Sequence, residues 1–264
     1  MLRALPRLSL LLSAPLLAQP LDLPGSLPNL AGIGVGMTSD YSGSNDTMVG
    51  VVPGLRYVTA DGHLLELYGP YAQYNLGQLQ GWQWGPALSL RLGRENVDDE
   101  VVARIHEIDT TLEAGGFVGY EYLNRDGYPW RARAGVAVLT NAGVVYGGAR
   151  ATATGTLWLP VSPRVMVGGG LGASWVSADF NRTYYGVTDA DAAASGLPGY
   201  TPGGGLQQWY GWLGMIVQLT PSWYGGAMAF LQRLSGDAGA SPIVTERGDR
   251  DQWTYGVGLG YAWR

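Results

Sequence analysis

Period-two alternation runs through most of the chain. Over residues 252–263, Trp253, Tyr255, Val257, Leu259, Tyr261 and Trp263 share one face, while Gln252, Thr254, Gly256, Gly258, Gly260 and Ala262 share the other. Successive side chains of a β-strand point to opposite sides, so this spacing predicts a strand with one bulky apolar face and one small or polar face. Aromatics end the apolar face and aliphatics fill its middle. A strand crossing a bilayer has this arrangement, because aromatic rings prefer the two interfaces. Residues 82–92 set Trp82, Trp84, Pro86, Leu88, Leu90 and Leu92 opposite Gln83, Gly85, Ala87, Ser89 and Arg91, and the pattern recurs over 130–138, 151–159, 164–175 and 206–219.

The alternation predicts strands over roughly 31–38, 48–58, 63–75, 81–93, 110–123, 128–139, 147–160, 163–178, 206–219, 223–234 and 251–263. That is eleven, whereas bacterial single-chain barrels have an even number. Gly69-Pro70 is the place where one run could hold two strands, which makes twelve the preferred count and ten the alternative. The tight connections Asn124-Arg125-Asp126-Gly127, Leu159 to Pro163 and Leu219 to Trp223 carry turn residues and belong on the periplasmic side. The long connections 94–109, 179–205 and 235–250 then fall outside.

A soluble β-sandwich also alternates, but its polar face meets water and normally carries many Lys and Glu residues. Here the second face is mostly Gly, Ala, Ser, Thr and Gln, and the chain has no lysine at all. Strands of 10–14 residues are long for a sandwich and fit a tilted membrane crossing. The composition agrees: 42 glycines, no cysteine, 10 Trp and 16 Tyr, and only 14% charged residues, against about a quarter in ordinary soluble domains. The expected fold is all-β, a transmembrane antiparallel up-and-down β-barrel over residues 31–264, closed because an open edge in lipid would leave backbone groups unpaired.

Residues 1–18 read as a signal peptide, with Arg3 and Arg7 in front of an apolar run from Leu8 to Leu17 and Ala18 as the last residue before cleavage. Leu16 is larger than the residue usual at its position in such a site. A short N-terminal membrane anchor is the alternative, although the run falls short of the ~20 apolar residues that a spanning helix needs. Residues 19–30, with Pro20, Pro24 and Pro28, form an extended periplasmic lead. The expected location is the outer membrane of a Gram-negative cell, in contact with lipid and lipopolysaccharide. No basic cluster supports a nucleic-acid partner.

Candidate chemistry is sparse. The two histidines, His63 and His106, have no spacing for a zinc site. His63 reads as a turn residue and His106 as a solvated loop residue. No Ser-His-Asp order or GxSxG is present, and neither GGG stretch carries a phosphate-loop GK[ST]. The run Asp98-Asp99-Glu100 is a solvated loop face, or alternatively a carboxylate site for a divalent cation or for lipopolysaccharide bound through one. No cofactor is implied. Parity places Arg56, Arg91, Arg131, Arg133, Arg150 and Arg164 on inward faces with Glu66, Glu113 and Glu121. Charges inside a barrel need partners, so Arg131 and Arg133 are expected to pair with carboxylates such as Glu113 and Glu121 on the preceding strand. The set is either a network that plugs and stiffens the lumen or a solute-selective constriction.

Four stretches carry a resemblance: "YSGS" at 41–44, "RLGRENVDDEVVARIHEIDTTLEAGGFVGYEY" at 91–122, "YYGVTDADAAASGLPGY" at 184–200 and "SPIV" at 241–244. Together they resemble the MipA/OmpV family of Gram-negative outer-membrane proteins over essentially the whole mature chain. The resemblance implies a β-barrel without enzymatic activity. It also implies a scaffold joining a lytic transglycosylase to a peptidoglycan synthase, with a porin-like channel or a surface adhesin as alternatives. Its most specific element contains Tyr184, Tyr185, Gly186, Ser195, Gly196 and Tyr200. Asp189 to Ala194 can make about one helical turn with Gly196 as its terminating glycine, and Tyr184, Tyr185 and Tyr200 are expected to pack this external loop onto the barrel rim. The loop then either narrows the pore or only holds its own shape. Such barrels usually end on an aromatic residue, whereas here Arg264 follows Trp263.

Overall fold

The computed structural model describes residues 28–95 and 97–263. The signal-peptide expectation, most of the 19–30 lead and Arg264 lie outside the described residues. Twelve strands close into one antiparallel barrel in which each strand pairs with its sequence neighbours and β1 pairs with β12. They are β1 (Asn29–Ser39), β2 (Thr47–Val58), β3 (Leu64–Tyr68), β4 (Tyr71–Asn75), β5 (Gly81–Arg91), β6 (Thr111–Asn124), β7 (Trp130–Asn141), β8 (Ala149–Ser162), β9 (Val165–Val176), β10 (Gly205–Gln218), β11 (Trp223–Leu234) and β12 (Asp251–Trp263). The count of twelve arises where the sequence is ambiguous. Residues 63–75 form two five-residue strands that turn at Gly69-Pro70, with Gly69 in the left-handed region at φ 59°. The barrel also begins at Asn29, two residues inside the stretch expected to be an extended lead.

Alternation sorts the side chains between two solvents. Ile33, Val35, Val49, Leu213, Val257 and Leu259 point outward and are exposed along a continuous apolar band. Aromatic pairs mark one end of the band, Trp82 against Tyr120 and Trp223 against Tyr261, while Trp175, Trp209 and Trp253 lie near the other. Inward glycines seat large rings: Gly168 faces Trp158, Gly170 faces Trp212 and Gly172 faces Tyr210, and a Cβ at any of the three would collide with its ring.

Short turns gather at the end that holds Asn29 and Trp263. At the other end five longer connections carry four short helices: α1 (Ala178–Tyr185), α2 (Asp189–Ser195), α3 (Gly236–Ala240) and α4 (Pro242–Thr245). Each helix is too short to stand alone, so packing against the other loops must hold it.

Candidate functional site

The lumen charges divide into three clusters on one wall. Glu113, fully buried at 0% exposure, accepts from Arg91 Nε at 2.7 Å, from the Arg150 guanidinium and from Tyr146 Oη at 2.7 Å. Glu121 accepts from Arg131 Nη2 at 2.7 Å. Glu66 accepts from Arg133 Nη1 at 2.8 Å and from Tyr68 Oη at 2.6 Å, and also from Gln73. Of the two pairings expected between neighbouring strands, Arg131 with Glu121 forms. Arg133 instead reaches Glu66 on β3, because parity fixes which face a side chain takes and not which partner lies at its level. Arg164 is not a strand residue: it lies in the two-residue turn between β8 and β9, outside the lumen clusters. All seven charged residues in these clusters belong to β3 and β5–β8, and from β9 round to β2 the only inward-facing charge among the described residues is Arg56.

Above this wall the external connections build a cap with its own core. One cluster joins Ile108, Tyr146, Phe180, Tyr184, Tyr185 and Val244, and a second joins Tyr41, Val102, Ile105, Val187, Leu197 and Ile243. The segments come from the β1–β2, β5–β6, β7–β8, β9–β10 and β11–β12 connections. Arg91, at the top of β5, stacks beneath Phe180 and Tyr184 with its guanidinium carbon 4.7 and 5.2 Å from the ring centroids. The cap therefore sits directly on the lumen charges.

Each stretch that carries the family resemblance contributes to this cap. Tyr185 is fully buried. Its hydroxyl bonds Ser42 Oγ at 2.7 Å and accepts from Gln207 Nε2 at 2.8 Å, while its carbonyl accepts from Ser241 Oγ at 2.7 Å. Arg94 donates to the carbonyls of Tyr184 at 3.1 Å and His106 at 3.2 Å. Burial brings Arg94 down to about 10. Asp99 caps the short turn at Val102–Arg104 through the amides of Val101 and Val102, and pairs with Arg247 at 2.8 Å. Tyr184 and Tyr185 thus form the core of the cap instead of lying on the rim, and Asp99 is committed to a structural pair. Tyr200 is closer to expectation: it bridges Val187 and donates from its hydroxyl to Asp237 O at 3.0 Å.

The expected turn at 189–194 is α2. Thr188 and Asp191 form a reciprocal capping box, and Gly196 ends the helix at φ 82° with Ser195 bonded back to Asp191 O. Gly186 closes α1 in extended backbone. His106 is not a free loop side chain: its amide donates to Asp191 Oδ1 at 2.8 Å and its ring Nδ1 lies 2.9 Å from Oδ2. Burial pushes the Asp191 carboxyl up, but the Thr188 hydroxyl, the amides of His106 and Thr188 and the His106 ring outweigh burial and hold it well below the usual carboxylate range. A carboxyl depressed in the folded state stabilises it above the unfolded pKa, near ~4, and loses that contribution as pH falls through the lower folded value. The protection factors of the 188–197 amides should therefore stay constant from neutral pH down to about 4 and fall below it. Asp191→Asn should weaken protection at neutral pH and abolish the acid step.

Among the described residues, no three His, Cys, Asp or Glu side chains converge in a way that could hold a metal ion. The fold and site define a class: an outer-membrane-type β-barrel with one end short-turned and the other carrying a packed cap. Within that class the family is shown. The model for "MltA-interacting protein MipA" matches residues 31–263, and the chain belongs to this family. MltA-interacting protein of Escherichia coli (strain K12) is 26% identical over 239 residues, covering 88% of either chain, and that of Shigella flexneri gives the same figures. Among solved structures the NanC porin aligns with a TM-score of 0.50 at 8% identity, covering 88% of this chain and all of that one, a likeness of fold.

Proposed function

We propose that the protein is a non-enzymatic scaffold of the outer membrane that holds peptidoglycan-remodelling enzymes at its periplasmic end. The observation that carries this reading is the cap. A barrel whose loops at one end share a hydrophobic core, and whose lumen carboxylates are each paired with arginine, is built for rigidity more than for flow. The relatives are named for interaction with MltA, which supports a lytic transglycosylase as one partner, and a peptidoglycan synthase would be the second. The partner surface is the periplasmic rim, where the β2–β3, β4–β5 and β6–β7 turns are the longest and Tyr128 is exposed. The apolar outer band supports residence among outer-membrane lipid and lipopolysaccharide.

The test is saturable binding of a purified MltA-type lytic transglycosylase to the refolded, immobilised barrel. The complex should still be able to recruit a peptidoglycan synthase. No binding to a correctly folded barrel would sink the scaffold. The second reading, a narrow channel, is favoured by the glycine-lined part of the inner wall. Reproducible single-channel steps from the intact protein in a planar bilayer would support it.

A further inference from the structure

The barrel wall is incomplete beside β2. The β3–β4 hairpin is short, and β2 pairs with β3 only from Gly54 to Val58. One further bond, from Gly69 N to Pro53 O, ends that ladder. Over Thr47–Val52, about 20 Å of strand at ~3.3 Å per residue, β2 has β1 on one side and no strand among the described residues on the other. Neighbouring residues of an antiparallel strand direct their backbone groups to opposite sides. Pro53 directs its carbonyl toward the hairpin, so Val51 and Val49 turn their N–H and C=O groups into the gap. Proline lacks the donor that would otherwise be stranded at the first open position, a residue suited to the start of an edge.

The inner surface next to this gap differs from the rest of the lumen. Its rows of register partners run Gly50–Gly36–Gly256–Met228 and Val52–Gly34–Gly258–Gly226. Three strands in succession therefore present bare backbone to the lumen, and a Cβ on Gly50 would meet nothing within 4 Å. Three apolar side chains that border it point inward and stay accessible, Met48 at 36%, Val52 at 43% and Met228 at 44%, while the mutually bonded hydroxyls of Thr38 and Thr254 close its upper end. Arg56 on β2 and its neighbour Glu66 on β3 lie below the strip, and the other lumen charges belong to β5–β8. The outer lipid-facing surface, through Val49 and Val51, passes round the free edge of β2 and continues into this apolar inner strip.

We propose that this strip is a lateral slot that takes a single acyl chain of an outer-leaflet lipid, entering sideways past β2 and lying along the glycine rows as far as Met228. Continuity with the barrel's own lipid-facing surface selects the occupant: the same hydrocarbon that bathes Val49 and Val51 reaches Met48 and Val52 by passing only the edge backbone groups of β2, with no charged side chain between. A glycine wall fits a flexible chain, since it offers width with no side chain to displace. Water that follows the chain through the gap meets the unpaired backbone groups of Val49 and Val51.

The chain has no cysteine, so a single probe can be placed cleanly. Met228→Cys, labelled with bimane and reconstituted in phosphatidylcholine vesicles, should lose at least half its fluorescence when the lipid carries a nitroxide on its acyl chain. Aqueous iodide should quench it little. Adding Gly50→Trp, which fills the slot from the opposite side, should restore the fluorescence while the barrel remains heat-modifiable. Iodide quenching without nitroxide quenching would mean an aqueous lumen and overturn the proposal. Nitroxide quenching that persists unchanged in the Gly50→Trp background would mean that the probe senses lipid through the wall, and would overturn it equally. Shielding of a bimane at Val51→Cys from both quenchers would show a polypeptide strand on the edge in place of lipid, and the slot would again be ruled out.

Discussion

Replacing Glu113 with alanine is expected to cost about 3–5 kcal/mol of barrel stability, the range seen when one partner of a buried ion pair is removed. Glu113 joins β6 to β5 through Arg91, to β8 through Arg150 and to the cap through Tyr146. The alanine variant would strand two guanidinium groups on a wall from which their counter-charge has gone. The penalty would come from those uncompensated cations more than from the lost bonds. Glu113→Gln, which keeps volume and acceptor but not charge, should fall between wild type and alanine. The measurement is the denaturant midpoint of the heat-modifiable form in lipid vesicles. A shift no larger for Glu113→Ala than for an exposed substitution such as Glu95→Ala would mean that the network adds nothing to stability. The network could then be assigned to solute selection instead.

Phe180→Ala should produce the second large effect, and a local one. Truncating a buried phenylalanine costs about 3–5 kcal/mol through lost burial and the cavity left behind. Phe180 is fully buried in the cap, packing edge-on to Tyr146 at 5.0 Å between centroids and against Tyr184 at 4.7 Å. The cap is a small unit hung on a barrel with far more extensive hydrogen bonding, and such units open on their own. Trypsin should therefore cut the variant at Arg104, Arg182 or Arg247 while the barrel stays heat-modifiable. In a planar bilayer the variant should show conductance steps that the wild type lacks. Equal conductance of the two proteins would show that the cap does not close the mouth.

The barrel was legible because two different solvents act on it. Lipid outside and a narrow lumen inside force each strand into period two, so Trp253 to Trp263 reads as a membrane strand without any neighbour in view. Alternation alone counted one strand too few, since Leu64–Tyr68 and Tyr71–Asn75 are too short to show a break, but the Gly69-Pro70 pair marked the split and made twelve the preferred number. Pairing in the lumen was half legible. Arg131 and Glu121 lie on adjacent strands and follow from parity, whereas Arg133 on β7 reaches Glu66 four strands away on β3, which no local pattern encodes. The cap was the least legible part. Helices of eight, seven, five and four residues carry too few turns to display a 3.6-residue period. Tyr41, Ile105, Val187 and Ile243 meet only because the barrel brings four loops to one end. The resemblance singled out these stretches, but it took the fold to show that they share a core. His106 read as solvated because Asp191 lies 85 positions away.

Closing the barrel joins the first strand to the last, and here both are nearly featureless on the inside: Gly32 faces Gly260, Gly34 faces Gly258 and Gly36 faces Gly256. Glycine-rich ladders specify register weakly. The outer alternation of Ile33, Val35 and Met37 against Leu259, Val257 and Tyr255 forbids a slip of one residue but tolerates a slip of two. The anchor comes from above the membrane. Thr38 bonds Thr254 at 2.8 Å, and Gln252 holds the amide of Gly43 and the carbonyl of Ser44, each at 3.0 Å. Ser44 in turn bridges Gly248. The "YSGS" stretch thus acts as a clasp on the seam, and a chain that zipped two residues out of step could not fasten it. Correct closure and a finished cap are the same event, so the outer surface of the protein records whether its membrane-buried seam is in register.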